Sequence, residues 1–217
     1  MSKEKECTYS SVNSYSTLNK RTDKTKNVWF VFHGMGYLSR YFLNYFKHLN
    51  REENYIIAPQ APSKYYQDDR FKHVGASWLT REERDRSMQN NLNYLNAVFE
   101  GELGTVDLSN LRFIVLGYSQ GVSVALRWIA SRNISCDDLV IHSGGLPEEL
   151  EKSQFEHLQN ASIHQVFGDS DHYISPSRLD LEQKKSKALF GDQVTQVVFK
   201  GGHEVNTSFI EQLSSIK

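Results

Sequence analysis

Five consecutive apolar residues, Val28-Trp29-Phe30-Val31-Phe32, run straight into His33-Gly34. The run is too short for a helix, and it lacks the alternation of a strand that shows one face to water. A strand buried on both faces remains, and such strands belong to parallel sheets covered by helices on each side. Further strands are expected at Tyr55 to Ala58 (closed by Pro59 and Pro62), Leu111 to Leu116, Leu139 to Ile141, Ile163 to Phe167 and Val194 to Phe199.

Between these runs the period changes. Leu38, Tyr41, Phe42, Tyr45, Phe46 and Leu49 fall on one helical stripe, which reads as core. Thr80-Arg81-Glu82-Glu83 has the form of a capping box, and it predicts a helix that buries Met88, Leu92, Leu95 and Phe99. A helix is expected from Ser119 to about Ser131, with Val122, Ala125, Leu126 and Ile129 inward. Another starts at Pro176 after Ser175 and ends near Gly191, and Phe209, Ile210 and Leu213 line a C-terminal one. Residues 1–27 are polar; within them, 8–18 predict an edge strand and Lys20 to Asn27 a turn. Strands alternating with helices predict an α/β fold with a mostly parallel sheet. No repeat or linker divides residues 1–217, so one domain is expected.

Composition removes several classes of function. A net charge of -1 leaves no basic footprint for nucleic acid or an anionic membrane. No apolar run approaches the roughly 18 residues of a membrane span, so membrane insertion is not expected. The N-terminus has no apolar core of a secretory signal, which leaves the glycosylation patterns at Asn133, Asn160 and Asn206 without weight. Cys7 and Cys136 lie far apart without metal-ligand spacing, and they fit a reducing compartment. A soluble cytoplasmic protein is the expectation.

In open α/β sheets, ligands bind outside the carboxyl ends of the strands. After Leu116 comes Gly117-Tyr118-Ser119-Gln120-Gly121. Chance supplies GxSxG in roughly one chain of this length in fifteen. Here, however, it joins a strand to a helix, as a nucleophile elbow must. A serine needs a base and a group that orients the base, in the chain order Ser, then Asp or Glu, then His. Gly168-Asp169-Ser170-Asp171-His172 follows one strand and Gly201-Gly202-His203 follows the last. His203 is the better base, since His172 abuts the acid and His142 precedes it. Position leaves Asp169 and Asp171 equal, because either can simply cap the turn. Oxyanion donors are expected from the Gln120 N–H and, in His33-Gly34-Met35-Gly36, from the Met35 N–H. The same stretch is a degraded dinucleotide fingerprint, but the next strand ends in Ala58-Pro59-Gln60 and lacks the acid that binds a ribose.

The ordered motifs HGMG, APQAP, GASWL, GYSQG, HSGGLP, GDSDHYISP and GGH resemble the phospholipase/carboxylesterase family of α/β-hydrolases, which includes acyl-protein thioesterases and small bacterial carboxylesterases. The resemblance runs from about Val28 to the C-terminus. It implies an α/β-hydrolase fold and a serine hydrolase that needs no cofactor or metal. It implies Ser119 as nucleophile, His203 as base, Met35 and Gln120 as oxyanion donors, and Asp171 as the acid, breaking the tie with Asp169. It also implies that Trp78 lines the acyl site. The implied substrate is a small ester or thioester, an acylated protein among them. The resemblance implies no large cap domain, and the short stretch between Gly144 and Ile163 agrees, leaving no room for one. Tyr37 stands where the family pattern has Asp, and Val122 where it has a second Gly. The alternative is a non-catalytic acyl- or ligand-binding protein on the same fold, although a binding module needs no base behind its serine. Tyr65, Tyr66 and Phe71 read as packing rather than as an acyl wall.

Overall fold

The computed structural model describes residues 3–216. Its strands are β1 (Tyr15–Leu18), β2 (Asn27–Phe32), β3 (Asn54–Pro59), β4 (Ser63–Tyr66), β5 (Val74–Ser77), β6 (Arg112–Tyr118), β7 (Asp138–His142), β8 (Ser162–Gly168) and β9 (Val194–Phe199). The α-helices are α1 (Ser39–Phe42), α2 (Arg84–Leu103), α3 (Gln120–Arg132), α4 (Pro176–Phe190) and α5 (Thr207–Ser214). Seven strands form one sheet in the order β1-β3-β2-β6-β7-β8-β9, parallel except for β1, which runs antiparallel along the β3 edge.

The unbroken apolar runs are explained by the two layers. Val28, Phe30 and Phe32 point to one face with Phe113 and Val115, and pack there with residues of α2 and α3. Trp29 and Val31 point to the other face with Ile114 and Leu116, and pack with Phe42, Phe46, Phe209 and Ile210. Alternate residues of Val28 to Phe32 thus serve two separate cores, and all five side chains are apolar and fully buried. Among the described residues no large cap covers the sheet.

Several expectations need correction. The stripe from Leu38 to Leu49 is not one helix but α1 followed by a 3₁₀ turn at Leu43–Phe46. Tightening to three residues per turn brings Leu43 inward beside Phe42 and Phe46, while Tyr41 faces solvent. Thr80–Glu83 forms no capping box, since Thr80 Oγ1 donates to the Glu82 carbonyl and α2 begins at Arg84 after Glu83 in the left-handed region. Gln120 holds both the Trp78 N–H and the Leu79 carbonyl just upstream, so residues 80–83 must turn the chain into the helix. A reciprocal capping box instead joins Glu151 and Gln154 at the 3₁₀ turn Lys152–Leu158. The edge strand lies within the expected span but is shorter, at Tyr15–Leu18. Residues 63–77 form a hairpin of β4 and β5 that the apolar pattern does not announce. Among the described residues no helix is long and apolar enough to cross a membrane.

Candidate active site

The chain runs from β2 outward to β3, then resumes at β6 on the other side of β2. The strand order therefore switches between β2 and β6, the place where open sheets leave a crevice. Phe32-His33-Gly34 and Tyr118-Ser119-Gln120 leave the sheet there.

The turn from β6 into α3 is tight enough to need its glycines. A Cβ on Gly121 would lie 2.2 Å from the Phe32 carbonyl oxygen, and one on Gly117 would lie 2.6 Å from Val122 Cα. Ser119 between them has φ 53° and ψ -119°, a strained backbone that non-glycine residues adopt rarely. Its N–H donates to the His142 carbonyl at 2.9 Å, fixing the elbow to the end of β7.

Three side chains from three strand ends meet above this turn. Ser119 Oγ is 3.0 Å from His203 Nε2, and His203 Nδ1 is 2.7 Å from Asp171 Oδ2. An ionised carboxylate only accepts, so the proton sits on Nδ1 and Nε2 is free to accept from the serine hydroxyl. Asp171 is buried, and its Oδ1 accepts the Tyr173 N–H at 2.9 Å. Tyr118 donates its hydroxyl to the His203 carbonyl at 2.9 Å and lies against the imidazole. Asp169 is exposed and turned away. It accepts from Ser170 Oγ and the Gly201 N–H, bonds that hold its carboxyl below the usual carboxylate range.

Beside Ser119 Oγ, the loop after β2 crosses the elbow. Gly34 permits the crossing, because a Cβ there would stand 3.0 Å from the Tyr118 ring and 3.1 Å from Ser119 Cβ. Gly36 has φ 88°, its N–H donates to the Ala76 carbonyl, and its carbonyl accepts from Gln67 Nε2. Among the described residues the Met35 and Gln120 N–H groups have no acceptor. The Met35 side chain is 59% exposed at the mouth, as is Tyr173 at 68%. The Tyr173 ring meets His203 edge to face.

Trp78 is fully buried, at 0% exposure. It is a support, donating Nε1–H to the His33 carbonyl at 2.8 Å. It also lines a cavity of about 720 Å³ between the N-terminal segment and α2, whose lining includes neither Ser119 nor His203. Tyr65, Tyr66 and Phe71 are exposed on the β4–β5 hairpin instead of packing into a core.

Other supports went unread in the sequence. Buried His33 accepts the Ala61 N–H on Nε2 and donates from Nδ1 to the Gly34 carbonyl, and burial pushes its pKa down to about 4. The Gln120 side chain clamps Trp78 and Leu79. The His33–Ala61 bond and the two Gln120 bonds join a side chain to the backbone of a distant segment, which no local pattern records. Among the described residues no group of three or more His, Cys, Asp or Glu is arranged to hold a metal ion.

The phospholipase/carboxylesterase family model matches residues 13–216. The structure is similar to acyl-protein thioesterase 2 of Zea mays at 16% identity and a TM-score of 0.66, covering 94% of this chain and 96% of that one. A phospholipase/carboxylesterase from Dyadobacter fermentans matches at 18% identity and 0.64, covering 95% and 97%. The Bacillus cereus carboxylesterase matches at 15% and 0.64, covering 93% and 92%. At such identities the likeness is one of fold, the α/β-hydrolase fold. A search of curated proteins returns no sequence match.

Proposed function

The chain belongs to the phospholipase/carboxylesterase family, and from that premise we propose that it is a serine hydrolase cleaving carboxylic esters or thioesters through an acyl-enzyme on Ser119. The observation that carries the reading is the hydrogen-bonded line Ser119–His203–Asp171, at 3.0 Å and 2.7 Å, on a strained elbow.

In this reading Ser119 Oγ attacks the substrate carbonyl as His203 Nε2 takes its proton. Asp171 holds the resulting imidazolium and fixes its orientation. The carbonyl oxygen becomes an oxyanion that accepts from the Met35 and Gln120 N–H groups, and the loss of one such donor typically costs about 10²–10³ in kcat. Collapse breaks the bond to the leaving group, which departs as alcohol or thiol with the proton from His203. Water then attacks the acyl-enzyme with His203 as base, releasing the acid and restoring Ser119.

An oxygen ester and a thioester present the same carbonyl to these groups. The mouth, with Met35 and Tyr173 exposed beside Ser119 and no large cap, suits an acyl group carried on a larger molecule, an acylated protein included. The test is hydrolysis of p-nitrophenyl esters of two to sixteen carbons and of acyl thioesters by wild type and Ser119→Ala. Turnover that depends on Ser119 supports the reading, and the preferred chain length assigns the substrate class. Turnover of equal rate in Ser119→Ala overturns it.

A further inference from the structure

His142 is a buried imidazole with no part in the proposed chemistry. It ends β7, its side chain has 0% exposure, and it touches both halves of the site. Its carbonyl accepts the Ser119 N–H at 2.9 Å. Its ring Nε2 lies 2.9 Å from the backbone nitrogen of Asn206, three residues beyond His203. A backbone N–H can only donate, so Nε2 accepts, and the ring proton lies on Nδ1, which donates to Ser143 Oγ at 3.0 Å. The ring is also held edge to face by Tyr118 at 5.3 Å and Phe199 at 5.8 Å.

The distance from Ser119 to His203 needs such a brace. Ser119 leaves β6 and His203 follows β9, with β7 and β8 between them in the sheet. The loop carrying His203 has no regular structure until α5 begins at Thr207. Asn206 caps that helix by accepting the Phe209 N–H. A bond to the Asn206 backbone therefore anchors the point where the loop becomes a helix. Tyr118 holds the same loop at the His203 carbonyl, and packs on the His142 ring.

We propose that His142 is a positioning residue whose Nε2, accepting from the Asn206 backbone, sets the His203 imidazole over Ser119 Oγ. The proposal rests on the serine-hydrolase reading for its kinetic consequence and on geometry alone for its structural one. Only the neutral Nδ1–H tautomer makes both ring bonds. Burial favours that state by pushing the ring down to about 3.

Gln, Asn and Leu at position 142 separate positioning from packing. Gln carries an amide oxygen at about the reach of Nε2, Asn is too short, and Leu has no acceptor. Exchange of the Asn206 amide, followed by NMR in the full chain, is expected to stay protected in His142→Gln and to quicken at least tenfold in His142→Asn and His142→Leu. Misplacement by about 1 Å costs roughly 10²-fold in rate. The kcat of the Asn and Leu variants is accordingly expected to fall by 10- to 100-fold at little-changed KM, with Gln within about threefold of wild type. Should Leu not fold, the Gln–Asn pair decides. Equal loss in Gln and Asn, or undiminished kcat and amide protection in Asn, overturns the proposal. Should wild type hydrolyse no ester, the serine-hydrolase reading fails, while amide exchange still decides whether His142 holds Asn206.

Discussion

Trp78→Phe keeps an aromatic ring against Phe32 and His33 but deletes the Nε1–H that reaches the His33 carbonyl at 2.8 Å. A buried carbonyl left without its donor costs about 1–3 kcal/mol, and the space vacated by the smaller ring about 1 kcal/mol more. A loss of about 2–4 kcal/mol is a large part of the roughly 5–15 kcal/mol that holds a protein folded. At roughly 2–4 °C per kcal/mol for a chain of this size, Tm falls by about 5–15 °C. His33 lies two residues before Met35, so a loosened carbonyl also blurs the Met35 N–H. Full loss of one oxyanion donor costs about 10²–10³, so partial displacement is expected to cost about 10-fold in kcat. Because the ring is closed to solvent, the loss falls equally on short and long acyl chains with KM unchanged. Thermal unfolding together with kcat and KM on two-carbon and sixteen-carbon esters reads all three effects. An unchanged Tm would refute the reasoning, and a KM that rises for long chains alone would refute it in favour of Trp78 as a lining residue of the acyl site.

Asp171→Asn is expected to lower kcat by about 10⁴, because the amide favours the wrong tautomer of the base, while Asp169→Asn leaves kcat nearly unchanged. Steady-state kinetics of the two variants checks this, and comparable losses would contradict it. Acid lability is expected from His33 and His142, which burial depresses to about 4 and about 3 in the fold from 6.5. Their stabilisation is complete above about pH 6.5 and is lost as pH falls toward those values, at about 1.4 kcal/mol per pH unit for each. Urea unfolding at pH 7, 6, 5 and 4 measures the slope, and a flat profile from pH 6 to 4 would count against it.

The core of the fold was legible because β2, β3, β6 and β7 each carry an unbroken apolar run, and the strand ends told where to look for Ser119, the acid and His203. Position alone did not separate Asp169 from Asp171. The difference lies in a turn of the backbone that sends Asp169 to the Gly201 N–H and Asp171 to His203. The β4–β5 hairpin was illegible for a different reason. All four residues of β4 are exposed, so no apolar alternation marks it. Thr80–Glu83 carried a helix-start pattern that the Gln120 clamp overrides. The supports His33, Trp78 and His142 bond to backbone groups far away in sequence, and their identity alone says nothing of those partners.

A fluorophosphonate phosphonylates a serine only where a base activates the hydroxyl, so the serine-hydrolase reading is tested by intact-mass labelling of the folded wild type beside Ser119→Ala and His203→Ala. The expected result is one adduct per chain, located by peptide mapping to Ser119, absent in Ser119→Ala and slowed by orders of magnitude in His203→Ala. No adduct on folded wild type, or labelling that persists in Ser119→Ala, would contradict it.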